Sequence, residues 1–466
     1  MAVTFPAPRA PAASPALTDP YVLSTAAVEA PPASFGSALR RIGPGIVLTA
    51  SIIGSGEVIA TTTLGAQVGF VALWIILVSC AIKPVVQGEL GRYTIATGQT
   101  GLEGFNRLPG PRAGVSWLVW AWAMMMVLTL VQVGGMYGGV AQVLHLLWPW
   151  LPLNAWVGVC LAITLVMLLG GGYERIERFA IIKMGLFTLV TVCAAAVLLR
   201  RTGAITAGDL ASGLSLELPS TGVATAMAVF GITGVGATEL VMYPYWCIEK
   251  GYARFVGPRD DSSAWVARAR GWIRVMHVDI FCSLVIYTLA TVAFYLLGAG
   301  VLNRMGVIPA GNETVSILSQ IYTQTLGEWA LWIFYLGVVV TLYGTIFAAT
   351  AAHSRVAADV VRIVGGYRRE DGESRRRWRN RFVIVLASIP AIFYWLFASP
   401  VQMVVAGGVA QALLLPLIGT AAIYLRYRHV PREIRPSTAT TVLLWVSTAV
   451  MFAFAAYYMW SRIFSG

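Results

Sequence analysis

Three charged side chains lie within stretches of sequence that are otherwise apolar. Glu57, Lys83 and Glu239 each fall inside a hydrophobic run long enough to cross a bilayer. A charge near the centre of a membrane costs about 2.5–3.5 kcal/mol even on insertion scales, so such residues are candidates for a function by default. Neighbouring carboxylates can bind a cation or hold a proton between them. The chemistry indicated is therefore the binding of a charged solute within a membrane.

Glu57 directly follows Gly54-Ser55-Gly56, a sequence that weakens a helix. We predict that the helix breaks there and that Glu57 opens its second half, near the positive end of the helix dipole. Backbone carbonyls freed before the break, that of Gly54 among them, would face a cation. Irregular backbone in a bilayer is tolerated only where protein or a cavity surrounds it. These four residues are therefore predicted to line a binding site.

Glu239 has similar surroundings in the second half of the chain, where glycines precede it in GITGVGATE and Pro244 follows it. Proline in a helix interior removes a hydrogen bond and clashes with the preceding turn. We therefore predict a break at Glu239–Tyr243, with Pro244 in the first turn of the next half-helix. Two interrupted spans in corresponding positions of two five-span halves are typical of an inverted-repeat secondary transporter with a site at the bilayer midplane.

A second explanation of the same residues needs no substrate. The glycines would serve close helix packing, and Lys83 would neutralise Glu57 or Glu239 within the bundle. Glu89, near the end of the second apolar run, is a further candidate. We therefore predict that Lys83 and Glu89 serve as coupling or counter-ion residues.

The composition places these residues in a membrane protein. Of 466 residues, 58% are hydrophobic and 12% are charged, about half the charged fraction of a soluble domain. The five cysteines form no CxxC pair, and the four histidines are scattered without the spacing of a catalytic site. The sequence therefore predicts neither an enzyme nor a bound cofactor.

Eleven apolar runs are long enough, or nearly so, to be membrane spans. They are Gly45–Val68, Ala72–Tyr93, Val115–Leu144, Ala155–Gly171, Phe179–Leu199, Gly222–Cys247, Val275–Gly298, Trp329–Ala352, Phe382–Phe397, Val401–Tyr424 and Thr440–Trp460. With the N-terminus inside, 28 of the 33 Lys and Arg residues lie on the cytoplasmic side, as the positive-inside rule requires. The net charge of +12 then reflects topology and the lipid surface, and predicts no nucleic-acid partner.

This layout predicts a multi-pass protein of the cell membrane, in a bacterial inner membrane, with its N-terminus in the cytoplasm and its C-terminus outside. Residues 1–40, rich in Pro and Ala at their start, are predicted to be a disordered tail. The predicted domains that follow are residues 41–200 as the first repeat, 201–428 as the second, and 429–466 as the last span with the C-terminus.

From about Gly43 onward the sequence resembles the Nramp family of divalent-metal transporters. GPGIVLTASIIGSGEVIATTTLGAQVGF is similar to the family's first span, LGRYTIATG to the end of its second, GGGYERIERF to its span 4–5 connection, VFGITGVGAT to the start of its sixth and GVVVTLYGTIFAATAAHSRVAAD to its eighth. The resemblance implies an all-α membrane protein with the LeuT-like fold of the APC superfamily. That fold has eleven transmembrane helices here, a 5+5 inverted repeat and discontinuous spans 1 and 6.

The site motifs differ from the family pattern. Where the family carries Asp-Pro-Gly-Asn in its first span, this chain has GSGE, and ELVMYP stands where the family has Met-Pro-His in its sixth. The acidic residues of the family's third span are absent from LTLVQVGGMYGG. Met242 is a candidate for the family's sulfur ligand, and Gln411 lies near the family's metal-contacting glutamine.

Two substrates are compatible with these residues. If Glu57 and Glu239 meet, they form an oxygen-rich metal site suited to Mg²⁺, Mn²⁺ or a similar ion. The leading expectation is thus a secondary active transporter that imports a divalent cation by alternating access, with protons as a candidate coupling ion. The alternative is a proton- or cation-coupled transporter of an amine or amino acid, for which Tyr243, Tyr245 and Trp246 would offer cation–π faces.

Overall fold

The computed structural model describes residues 19–169, 173–200 and 205–464, with the side chains of all of these except 173–184. In this part of the chain the regular secondary structure is helical apart from a short hairpin, β1 (Arg112–Ala113) and β2 (Val115–Ser116). The helices of the first half are α1 (Phe35–Leu39), α2 (Pro44–Ile52), α3 (Gly56–Val68), α4 (Leu73–Thr97), α5 (Gly101–Phe105), α6 (Trp117–Leu147), α7 (Leu153–Leu169) and α8 (Tyr173–Arg200).

The second half of the chain continues the same helical architecture. Its helices are α9 (Ala207–Gly213), α10 (Val223–Ile232), α11 (Ala237–Glu249), α12 (Tyr252–Val256), α13 (Ser263–Asn303), α14 (Thr314–Leu326), α15 (Ala330–Ile363), α16 (Gly372–Phe397), α17 (Pro400–Arg428) and α18 (Thr438–Phe464). Single 3₁₀ turns lie at Thr25–Ala27, Gly311–Glu313 and Arg432–Ile434.

The helices match the predicted spans. Nine segments of the described chain are long and apolar enough to cross a membrane when α2 and α3 are counted as one bent span. Two shorter apolar helices, Leu153–Leu169 and Gly185–Arg200, coincide with the predicted fourth and fifth spans. The apolar runs of the sequence are therefore helices of a multi-pass membrane protein.

Span 1 is interrupted where the sequence predicts. Helix α2 ends at Ile52, α3 begins at Gly56, and the two segments are bent by 43°. Gly54 permits close packing at this point, because a Cβ there would lie 3.0 Å from both the Cβ and the Cγ2 atoms of Thr345 in α15. The break in span 1 therefore lies directly against span 8.

Span 6 is also interrupted, but earlier than predicted. Helix α10 ends at Ile232 and α11 begins at Ala237, which puts Pro244 inside α11. The break follows from Gly234, whose φ of +63° is one that residues with a side chain rarely adopt. The predicted break at Glu239–Tyr243 is wrong because a membrane helix tolerates proline where neighbouring groups satisfy the freed backbone.

Span 6 is central to the bundle. Within its most apolar window 94% of the residues are buried by protein, compared with 28% in α18. Glycine allows it to approach span 10, because a Cβ at Gly231 would lie 2.8 Å from the backbone nitrogen of Ala412 in α17. Its broken segment therefore lies in the protein interior, where irregular backbone is shielded from lipid.

Residues 19–40 were predicted to belong to a disordered tail, but they lie against the bundle. The Glu29 backbone N–H donates to the carbonyl of Phe255 at 3.0 Å, and Trp272 Nε1 donates to the carbonyl of Glu29 at 3.1 Å. Helix α1 begins with a capping box between Ser34 and Ser37. Residues 1–18 of the predicted tail lie outside the described residues.

Candidate functional site

A small polar cavity lies between the breaks of spans 1 and 6. Its volume is about 30 Å³, which is room for roughly two water molecules or one ion. Spans 1, 3, 6, 8 and 10 all contribute to its wall, and Glu239 is the carboxylate residue among its described lining. The cavity therefore occupies the place where the sequence predicts a binding site.

A chain of hydrogen bonds runs along the wall of this cavity. Gln132 Nε2 donates to Ser55 Oγ at 3.1 Å, and Gln411 Nε2 donates to Gln132 Oε1 at 2.9 Å. The Thr238 backbone N–H donates to Gln411 Oε1 at 3.2 Å, and the Thr238 hydroxyl donates to Glu239 Oε2 at 2.7 Å. Each carboxamide donates to an oxygen of the wall, Gln132 to Ser55 and Gln411 to Gln132, and a carboxamide oxygen with one donor keeps a lone pair for a bound solute. Ser55, Glu239 and Gln411, three of the predicted site residues, thus lie around one cavity.

Glu239 lies in the first turn of α11, where the helix dipole favours a negative charge. Gly236 makes room for it, because a Cβ at this position would lie 2.5 Å from Glu239 Oε2 and 2.7 Å from Gln411 Oε1. Any side chain at position 236 would therefore displace two oxygen atoms of the cavity wall.

Glu57 is fully buried but does not line the cavity. Its Oε2 atom accepts a hydrogen bond from the Gly54 backbone N–H at 3.2 Å, and its Oε1 atom accepts one from the Thr291 hydroxyl of α13, also at 3.2 Å. These contacts stabilise the bend of span 1 and fasten it to span 7. Metal binding by Glu57 stays a prediction.

The three residues before Glu57 differ in their surroundings. Ser55 and Gly56 line the cavity. The carbonyl of Gly54 is not free, contrary to expectation, because it accepts a hydrogen bond from the Val58 N–H at 2.9 Å. The helix restarts immediately after the bend, so span 1 offers the cavity the side-chain hydroxyls of Ser51 and Ser55.

Lys83 caps the end of α10. Its ammonium group donates to the backbone carbonyl of Phe230 and, at 2.8 Å, to that of Thr233. Carbonyls at a helix C-terminus lack partners within the helix and attract a cation. Among the described side chains Lys83 forms no ion pair with Glu57 or Glu239, so the expected direct neutralisation of either acid is absent.

We expect Lys83→Met to lower the thermal stability of the protein. The change leaves two buried carbonyls with only the Ser79 hydroxyl, 3.1 Å from the Phe230 oxygen, as a remaining donor. A buried polar group without its partner costs about 1–3 kcal/mol. The measurement is the unfolding midpoint in detergent without metal. Lys250→Met removes the same charge at the exposed end of α11 and should leave the midpoint unchanged; equal midpoints for the two variants would contradict the capping role.

Two further predicted residues lie away from the cavity. Glu89 is buried and forms an ion pair with Arg92 of the same helix at 3.3 Å and one with Arg426 at 3.8 Å, and the second joins α4 to α17. Met242 is buried in α11 outside the cavity lining, whose thioether belongs to Met136. A coupling role for Glu89 and a ligand role for Met242 remain predictions.

Spans 3 and 8 also line the cavity, and their contributions were not predicted from the sequence. Gln132 of α6 lines the cavity, and so do Thr345, Ala349 and His353 of α15. The α15 residues recur every four positions, which places them on one face of a helix. Polar side chains repeated at helical spacing inside an apolar run could therefore have identified this face.

The start of α2 is tied to spans 6 and 7 through Asp279 of α13. Its carboxylate accepts hydrogen bonds from the Gly43 N–H at 3.0 Å and from the Gly45 N–H at 2.5 Å. These are donors of a helix N-terminus, which have no partner within the helix. The Tyr243 hydroxyl of α11 donates to the same carboxylate at 3.1 Å. One buried carboxylate thus links half-helices of both broken spans.

The donors of the cavity suit a hard cation better than a soft one. Within the residues that the structure describes, no group of three or more His, Cys, Asp and Glu side chains is placed to hold a metal ion. The wall is mainly oxygen, from one carboxylate and from carboxamide and hydroxyl groups, and it also carries the imidazole of His353 and the thioether of Met136. Such oxygen donors suit Mg²⁺ or Mn²⁺, and Mg²⁺ commonly keeps several of its water molecules.

Comparison with known proteins gives one family match and one curated relative. The family model described as Natural resistance-associated macrophage protein-like (Nramp) matches residues 45–461. An uncharacterized protein of Pasteurella multocida (strain Pm70) is 23% identical over 372 residues, which cover 77% of this chain and 78% of that protein.

Solved structures of membrane transporters share the fold. A mutant of the manganese transporter of Eremococcus coleocola superimposes with a TM-score of 0.65 at 15% identity, covering 93% of this chain and 88% of that one. Mhp1, a nucleobase-cation-symport-1 family transporter, superimposes with a TM-score of 0.56 at 16% identity, covering 90% of each chain. At these identities the likeness shows the fold alone, and it confirms the predicted all-α, LeuT-like architecture.

Proposed function

This chain belongs to the Nramp family, and from that premise we propose that it is a secondary active transporter of a divalent metal cation. The observation that carries the proposal is the cavity of about 30 Å³ in which Glu239 lies beside the oxygen atoms of Ser55, Gln132 and Gln411. The shared fold with the manganese transporter of Eremococcus coleocola supports a metal-ion substrate. We place Mg²⁺ and Mn²⁺ first because the donors are mainly oxygen atoms.

The size of the cavity favours an ion over an organic solute. A cavity of about 30 Å³ is far smaller than the roughly 300–1,000 Å³ of typical small-molecule sites. The aromatic residues considered for such a ligand lie elsewhere: the Tyr245 hydroxyl donates to Asp359 at 2.6 Å, and the Arg355 guanidinium lies 5.2 Å from the ring centre of Trp246. No observation therefore favours the organic-solute alternative.

Alternating access would act through the half-helices α2 and α11. Asp279 joins the start of α2 to Tyr243 in the middle of α11. Glu249, at the end of α11, pairs with Arg355 at 2.8 Å and accepts a hydrogen bond from Tyr21 at 3.1 Å. We propose that these contacts close the cytoplasmic side and that their release opens the cavity to the cytoplasm. The assignment of this side of the bundle to the cytoplasm rests on the positive-inside rule, which places the N-terminus inside.

The proposal predicts stabilisation by metal. Purified protein should show a higher unfolding midpoint with Mn²⁺ or Mg²⁺, and an unchanged one with Na⁺, amino acids or polyamines. A ligand that binds only the folded state adds about 2.7 kcal/mol at a concentration one hundred times its Kd. Uptake of the stabilising ion into proteoliposomes, with and without a pH gradient, then tests transport and proton coupling. Stabilisation by organic amines alone would overturn the assignment.

A further inference from the structure

A second cavity, of about 400 Å³, lies where α11 and α15 end and α16 begins. Pro20 and Tyr21 of the amino-terminal segment form part of its wall. It shares no described lining residue with the small cavity at Glu239. The positive-inside rule places this end of the bundle at the cytoplasmic surface.

Arginines dominate the wall of this cavity. Six of them line it: Arg355, Arg362, Arg369, Arg375, Arg376 and Arg379. Four are paired with carboxylates, Arg355 with Glu249 at 2.8 Å, Arg362 with Asp359 at 2.6 Å, Arg369 with Glu103 at 3.3 Å and Arg375 with Asp19 at 2.8 Å. The paired arginine side chains are only 14–24% exposed, and buried charges of this kind require compensation.

Arg376 and Arg379 remain without a carboxylate partner. Neither forms an ion pair with any residue that the structure describes, and Arg379 Nη2 reaches only the neighbouring Asn380 Oδ1, at 3.4 Å. The two residues are three positions apart in α16 and so lie on the same side of the helix. Six arginines and four carboxylates leave the cavity with two surplus positive charges.

Membrane topology alone does not account for this arrangement. Arg377 and Arg381 belong to the same helix, are exposed and do not line the cavity. They satisfy the positive-inside rule as well as any other arginine. The grouping of six guanidinium groups around one cavity therefore needs a separate explanation.

Tyrosine rings form another part of the wall, contributed by Tyr21, Tyr245 and Tyr367. The Tyr21 hydroxyl donates to Glu249 at 3.1 Å. Burial, together with the nearby charge of Glu249, raises the pKa of this hydroxyl well above its ordinary value of 10.0, so it stays a donor. The Tyr367 hydroxyl donates to a backbone carbonyl at 2.9 Å. The Arg375 guanidinium lies over the Tyr21 ring, 4.3 Å from its centre, and the rings of Tyr245 and Tyr367 add apolar surface to the wall.

We propose that this cavity binds a phosphate-bearing anion whose phosphate groups contact Arg376 and Arg379. Guanidinium groups bind phosphate oxygens through paired, charge-assisted hydrogen bonds. A volume of about 400 Å³ is in the range of small-molecule sites, and the tyrosine faces suit a planar base. The same phosphate chemistry is present in a free nucleotide and in the headgroup of an anionic lipid.

The position of the cavity implies that the bound anion regulates transport. This inference rests on the proposed transport function. Glu249, at the end of α11, already joins Arg355 of α15 and Tyr21. A phosphate bound by Arg376 and Arg379 would add α16 to this group. The bound anion would therefore hold the cytoplasmic side closed and reduce uptake.

Binding is tested with the full chain in phosphatidylcholine nanodiscs, without metal. The probes are ATP and inorganic pyrophosphate, and calorimetry measures their binding. We expect binding that weakens with rising salt, and a Kd raised about tenfold or more, or 1.4 kcal/mol, by the double change Arg376→Gln with Arg379→Gln. The matched control, Arg377→Gln with Arg381→Gln, removes the same charge from α16 outside the cavity and should keep the Kd within about twofold.

A parallel series identifies the source of the phosphate. The unfolding midpoint is measured in nanodiscs that contain phosphatidylglycerol. If this lipid raises the midpoint of the control but not that of the Arg376/Arg379 double variant, the site binds a lipid headgroup. Absence of binding by both probes together with no lipid effect would overturn the proposal. Equal losses in the two double variants would overturn it as well. These measurements contain no transported metal, so their outcome is independent of the metal-transport proposal.

Discussion

Glu239→Gln is expected to abolish metal binding and metal uptake while the protein still folds. Glu239 is the carboxylate of the described cavity lining, and glutamine keeps its size but removes its charge. Two unit charges about 4 Å apart near a protein surface attract by about 4 kcal/mol, and each 1.4 kcal/mol is a factor of ten in Kd. The loss of affinity should therefore be about a hundredfold or more.

Calorimetry with Mn²⁺ and uptake into proteoliposomes measure this effect, and the unfolding midpoint without metal checks the fold. Glu57→Gln is the informative companion. That carboxylate lies at the bend of span 1, where it accepts hydrogen bonds from Gly54 and Thr291. We expect Glu57→Gln to reduce uptake severely. If this variant keeps its affinity for Mn²⁺, then Glu57 acts in the bend of span 1 and is not a ligand. Near-normal uptake by Glu239→Gln would rule out the proposed site.

Gly236→Ala is expected to reduce metal affinity about tenfold or more through its shape alone. The added Cβ would lie 2.5 Å from Glu239 Oε2 and 2.7 Å from Gln411 Oε1, so both oxygens must move out of the cavity wall. The backbone at Gly236 is extended, with φ −71° and ψ 173°, so alanine is not strained there. About 1.4 kcal/mol of lost interaction corresponds to the tenfold change.

The matched control is Gly158→Ala in α7, where an added Cβ meets nothing within 4 Å. It should leave metal binding, uptake and the unfolding midpoint unchanged. If Gly236→Ala binds Mn²⁺ as tightly as the control does, the oxygens of Glu239 and Gln411 are not ligands.

The architecture could be predicted from the sequence because its signals are local. A run of apolar residues specifies a membrane helix wherever it occurs, since the bilayer requires every backbone group to be bonded within the segment. The Gly-Ser-Gly sequence before Glu57 likewise marked the bend of span 1. In span 6 the local signals conflicted, and Gly234 rather than Pro244 decided where the helix breaks.

The partners of the charged residues depended on the tertiary structure. The sequence by itself determined that Glu57, Lys83 and Glu239 lie in the membrane region, because their apolar neighbours place them there. It could not determine that Lys83 bonds to carbonyls of α10, or that Gln132 and Gln411 meet beside Glu239. Those contacts join residues that are far apart in the chain, and the crossing of the helices alone decides which side chains meet.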